Sequence, residues 1–93
     1  MSKAMHVFAI YDIQTEVWSL PMTAHSTADF TRNLAAQLER ADVNVNMMAR
    51  HPEDFELWSI GVYHDGVITP ADRTMISRLS AFHAPLPSNR QPG

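Results

Sequence analysis

The stretch from His51 to Gly66, His-Pro-Glu-Asp-Phe-Glu-Leu-Trp-Ser-Ile-Gly-Val-Tyr-His-Asp-Gly, limits the fold of this chain more than any other. Pro52 fixes its own φ and lacks an N–H, and it biases His51 away from helix, so a helix does not run through this point. The residues that follow are bulky, aromatic or β-branched and suit a pleated, half-buried surface. Asp65-Gly66 then closes the run with a favoured hairpin dipeptide. The expectation is a strand with Trp58, Ile60 and Val62 on one face and Phe55, Leu57 and Tyr63 on the other. Gly61, inside the run, predicts a bulge or a close approach to another backbone.

The rest of the chain supplies partners for this strand. Met5 to Tyr11 predicts a first strand, with Val7, Ala9 and Tyr11 on one face and His6, Phe8 and Ile10 on the other. Asp12-Ile13-Gln14-Thr15 predicts a turn, after which Glu16 to Leu20 returns antiparallel and brings Trp18 close to the first strand. Pro21 limits that second strand, as an edge strand or as one that ends near Leu20. Ser26-Thr27-Ala28-Asp29 is a helix start, with a serine cap and an acid where the helix dipole favours it. Phe30, Leu34, Leu38 and Ala41 then recur at helical spacing, so a helix from Ser26 to Ala41 lays one apolar stripe on the core. That stripe is expected to meet the even-numbered residues Trp58, Ile60 and Val62. Residues 42–50 read mostly as loop, with Met47-Met48 suited to filling an irregular gap. Beyond the hairpin, Val67-Ile68-Thr69 reads as a short closing strand. Thr69-Pro70-Ala71-Asp72 has the form of a second helix start, and Met75, Ile76, Leu79 and Phe82 extend it to about His83. The fold class expected is therefore α+β: a four-stranded antiparallel sheet in the order ββαββα, in one domain over residues 1–84, with a disordered proline-rich tail over 85–93.

Composition narrows the chemistry. The 93 residues include no cysteine, which removes disulfides and thiolate metal sites and fits a reducing cytoplasm. No apolar run is long enough for a membrane helix, and no export signal is expected at the N-terminus. Gly61, Gly66 and Gly93 are the only glycines, so no phosphate-binding loop or dinucleotide fingerprint is present. His51 with Asp54, and His64 with Asp65, do not form a dense ligand pattern, and two neighbours cannot complete a zinc site. These residues are read as turn and strand-end groups, with no metal or cofactor expected. Nothing in the sequence has the form of a nucleophile elbow, and an enzyme is not expected.

Nucleic-acid binding needs closer weighing. Seven Lys and Arg face ten Asp and Glu, a formal net charge of −3, which is the wrong sign for non-specific binding to phosphate. Single strands are also held by aromatic stacking with arginine support. Trp18, Tyr63 and Tyr11 are the stacking candidates, and Arg32, Arg40, Arg50, Arg73 and Arg78 the phosphate candidates. For each aromatic the competing explanation is core packing, and for each arginine a solvated surface. Trp58 is assigned to the core.

The central motif carries a family resemblance. His51-Pro52-Glu53-Asp54-Phe55, then Leu57, Ile60-Gly61 and Tyr63, the Asp65-Gly66 turn and Ile68-Thr69-Pro70 resemble the small nonstructural protein of gokushovirus-type microviruses, which are single-stranded DNA phages. Tyr11-Asp12, Trp18, Pro21 and the helix after Ser26 extend the likeness. It implies a role in viral genome replication or its regulation, through contact with single-stranded DNA or with the phage or host replication complex, in the cytoplasm of the bacterial host. The alternative is an oligomeric assembly module that works by protein–protein contact without touching DNA. The two-sided apolar character of both main strands also predicts that the second sheet face is covered, by the C-terminal helix or by a second copy in a homodimer or higher oligomer.

Overall fold

The computed structural model describes residues 4–83. It is an α+β fold built on a five-stranded antiparallel sheet. The strands are β1 (Met5–Asp12), β2 (Val17–Trp18), β3 (Met22–Ala24), β4 (Phe55–His64) and β5 (Val67–Arg78); helix α1 spans Thr27–Arg40 and the single turn α2 spans Met47–Arg50. The sheet order is β2-β1-β4-β5, with β3 also pairing β1. Pro21 explains the fifth strand: it interrupts the return from the first turn, so β2 and β3 pair separate parts of β1.

Helix α1 forms where its signals lie. The Ser26 side chain accepts a hydrogen bond from the Asp29 N–H at 3.0 Å, and Phe30, Leu34 and Leu38 are buried. The helix packs on one face of the sheet, here called inner, where Phe8, Ile10, Phe55 and Leu57 join the same core cluster. Phe8 and Phe30 stack with ring centroids 4.5 Å apart.

The parity expected for β4 is reversed at this contact. Ile10 lies opposite Leu57 and Phe8 opposite Ser59, so the odd-numbered residues of β4 face α1 while Trp58, opposite Ala9, points to the outer face. Between Ser59 and Gly61 the register shifts and Ile60 is left without a partner in either ladder. Such a bulge exchanges the faces, and beyond it Val62 lies opposite His6 on the inner side. Gly61 is where the backbones crowd: a Cβ there would stand 2.7 Å from the Thr69 carbonyl oxygen.

The expected second helix is absent, and its residues form β5 and a short 3-10 turn over Leu79–Ala81. Pro70 is tolerated because the His64–Val67 pair closes the hairpin and hydrogen-bonded pairs then alternate. That alternation turns the Pro70 nitrogen, which has no hydrogen, away from β4 and toward the open edge. The helical spacing of Ile76, Leu79 and Phe82 arises from a bulge at Ile76 followed by the 3-10 turn, which directs all three to the core. The reading of 42–50 as loop holds apart from α2, which the Asn46 side chain caps by accepting the Ala49 N–H at 3.0 Å. His83 closes the body, with Nε2 3.2 Å from the Ala49 carbonyl oxygen. The proline-rich tail expected over 85–93 lies outside the described residues.

Candidate nucleic-acid interface

The outer face gathers the aromatics. In antiparallel pairs, residues directly opposite share a face, so Trp18 opposite Tyr11, Tyr11 opposite Glu56, and Trp58 opposite Ala9 all point outward. The Tyr11 and Trp18 rings lie 4.8 Å apart, and Trp18 meets Trp58 edge-on at 5.6 Å. These separations match the offset and edge-to-face contacts that aromatic quadrupoles favour. Trp58 is half-buried, and its indole Nε1 donates to Glu56 Oε1 at 3.0 Å. Its assignment to the core is therefore corrected: it belongs to this surface cluster.

A cation completes the arrangement. Between the Ser59–Thr74 and Gly61–Pro70 pairs, β5 carries Ala71, Asp72 and Arg73 outside the ladder. Arg73 reaches the Trp18 ring, with its guanidinium carbon 5.3 Å from the ring centroid. That is within range of a cation–π contact. Val7 and Ala9, which point to the same outer face, are only 1% and 3% exposed. This part of the face is thus closed without a second helix, whereas Trp18 remains 36% exposed at its margin.

Of the other sequence candidates, Tyr63 and Arg78 share the outer face and the remaining arginines do not. Tyr63 is opposite Met5, toward the far end of β4 from Trp58. Arg32 pairs with Asp29 at 3.0 Å on α1, and Arg40 ends the same helix, so both belong to the side of the sheet opposite the aromatic cluster. Arg50 is spent on its own loop, donating from Nε to the Val43 carbonyl at 2.9 Å and from Nη2 to that of Asn44 at 2.8 Å. Arg78 is exposed opposite Glu56 in the ladder. Of the cations considered, Arg73 is the one in contact with the aromatic cluster.

A second feature lies at the β2 edge. An open groove of about 430 Å³ runs between the β1–β2 turn, with Asp12, Thr15 and Val17, and the loop into α2, with Val45, Met47 and Met48; Ile10, Phe55 and Trp18 of the aromatic cluster also line it. On the remaining surface, His51, Glu53 and Asp54 place their ligand atoms within 4.8 Å of one another. Within this group, His51 Nδ1 and Glu53 Oε2 are 3.7 Å apart. His51 and Asp54 are paired by sequence spacing, and the 3-10 turn over Pro52–Asp54 brings Glu53 into the same group.

Residues 5–82 match the model of a family described as the Phage ORF5 protein. The chain belongs to the phage ORF5 protein family. The match spans β1 to the 3-10 turn after β5, so it covers the sheet, the aromatic cluster and the groove. Neither a curated protein nor a solved structure matches the chain.

Proposed function

We propose that this phage ORF5 protein is a nonstructural accessory protein of viral genome replication that binds single-stranded DNA weakly in the host cytoplasm, with Trp18 as the principal base-stacking residue. The observation that carries this reading is the Tyr11–Trp18–Trp58 cluster with Arg73 over Trp18. A base stacks on a flat π-face without a sequence code, and a neighbouring guanidinium serves either the base or the adjoining phosphate. The resemblance to microvirus nonstructural proteins supports the same direction.

The chain's net charge of −3 sets the strength. Few phosphates are neutralised, so stacking dominates and dissociation constants are expected in the micromolar range or weaker. Fluorescence anisotropy of a labelled single-stranded oligonucleotide, followed in parallel by quenching of tryptophan emission, tests the reading. Saturable binding that falls at least tenfold in Trp18→Ala supports it. An absence of binding at low salt, or equal binding by the variant, would remove it.

A further inference from the structure

We infer that the groove at the β2 edge is a base pocket of the same single-stranded DNA site, and that it selects a base carrying an exocyclic amino group beside a ring acceptor, as cytosine and adenine do. The inference rests on the single-strand reading above and goes beyond it, because stacking on Trp18 is tolerant of base identity whereas the groove beside it reads the base edge. Trp18 belongs to both features: its ring is part of the aromatic cluster, and the same residue lines the groove. A base next to one stacked on Trp18 therefore reaches the groove without leaving the strand. A single strand also has no pairing to break before it turns a base inward.

The groove suits a base better than a phosphate. Its volume of about 430 Å³ lies in the range of small-molecule sites, and its walls are mostly apolar, with exposed Val17, Val45 and Met47 around buried Ile10 and Phe55. Such walls cover the flat faces of a base. Asp12 and Asn46 also line it, each held by its own turn with one group left to offer. Asp12 Oδ1 accepts the N–H groups of Gln14 and Thr15 at 3.0 and 3.3 Å, which fixes the carboxylate and leaves Oδ2 as an acceptor. Asn46 Oδ1 accepts the Ala49 N–H at 3.0 Å, which leaves its amide nitrogen as a donor. One acceptor and one donor match an amino group with a ring nitrogen beside it, and a carboxylate accepting from the cytosine amino group is a recurrent base contact. Uracil and thymine place a carbonyl oxygen where cytosine has the amino group, and that oxygen meets the carboxylate with like polarity. The same negative charge keeps phosphate out of the groove, so the backbone stays with Arg73 over the Trp18 ring.

Anisotropy titrations of the full chain with labelled oligodeoxycytidylate and oligodeoxyuridylate of equal length, at neutral pH, test the inference. The two strands carry the same phosphates and similar pyrimidine rings and differ at the base edge, so the ratio of their affinities reads the groove apart from the stacking. The cytidine strand is expected to bind about tenfold more tightly, the ordinary discrimination of a well-placed base contact. A strand of 2-pyrimidinone nucleotides, which lack the amino group, should fall to the uridine level. Asp12→Asn keeps a carbonyl oxygen for the turn and replaces Oδ2 by an amide donor, so it should abolish the preference for cytidine while the circular dichroism spectrum stays unchanged. Trp18→Ala should instead weaken both strands by a similar factor. Trp18-dependent binding with equal affinity for the cytidine and uridine strands would overturn the inference and leave the single-strand reading standing. A 2-pyrimidinone strand that binds as the cytidine strand does, or a folded Asp12→Asn chain that keeps the wild-type ratio, would do the same. An absence of binding to every strand would overturn both.

Discussion

Leu57 and Trp58 are adjacent in sequence and opposite in surroundings, and the difference sets what each contributes. Leu57 is fully buried beneath α1 in the main core, whereas Trp58 lies half-exposed on the outer face beside Trp18. Leu57→Ala is expected to cost ~2–5 kcal/mol, since it removes buried methyl groups and leaves a cavity. Trp58→Ala should cost less than Leu57→Ala, because water replaces much of what the indole touches. Urea unfolding of the two variants gives the order directly, and a reversed order would contradict the placement of the faces. The parity was open to inspection in the sequence: Glu56 and Trp58 share a face by the period of a strand, so a carboxylate beside Trp58 marks that face as wet. The bulge at Ile60 was less legible. Gly61 signalled a close approach, but the sequence does not say that the approaching group is the Thr69 carbonyl. Gly61→Ala should therefore destabilise by roughly 1–3 kcal/mol through overpacking against backbone, which the same unfolding measurement reads.

Elements whose signals are local were legible, and the one whose identity depends on a distant partner was not. Ser26 caps α1, Phe30, Leu34 and Leu38 line it, and Asp65-Gly66 turns the hairpin, with positive φ at both residues (51° and 80°) as a type I′ turn requires. Ser26→Ala should lower stability by ~1 kcal/mol, the ordinary loss for an N-cap oxygen. Gly66→Ala should lower it by about 1 kcal/mol from left-handed backbone strain alone, because nothing lies within 4 Å of the added methyl. Thermal unfolding that leaves either midpoint unchanged would show that the local signal does not hold the element. For β5 the local signal points elsewhere: Thr69-Pro70-Ala71-Asp72 is a sound helix start, yet the segment pairs with β4 from Val67 to Arg78. The ladder overrides propensity, and the two register shifts along β5 disguise strand spacing as helical spacing.

At the scale of the whole molecule, the candidate site is a product of topology. Trp18 and Tyr11 were legible together because one short turn joins their strands, but Trp58 and Arg73 join them only through the β1–β4 pairing and the unpaired segment of β5. Arg73 touches the aromatic cluster and Arg78, opposite Glu56, shares its face, whereas Arg32, Arg40 and Arg50 lie elsewhere, so among the described residues the aromatic surface has two nearby cations in place of a basic face. This fixes how single-stranded DNA binding must respond to salt. Each phosphate contact on a single strand contributes a slope of roughly −0.7 to the logarithm of the binding constant against the logarithm of salt concentration. With Arg73 as the main contact, the wild-type slope is expected to be shallow, between about −0.7 and −1.5, while most of the free energy comes from stacking. Arg73→Gln should flatten the slope by about 0.7 and weaken binding mainly at low salt. Trp18→Ala should weaken binding at every salt concentration by a similar factor and keep the wild-type slope. Anisotropy titrations across a salt series separate the two effects, because the distance from Arg73 to Trp18 lets one substitution remove the charge and the other the stacking face. A steep wild-type slope would mean that several other cations carry the binding and that the strand follows a path away from the aromatic cluster.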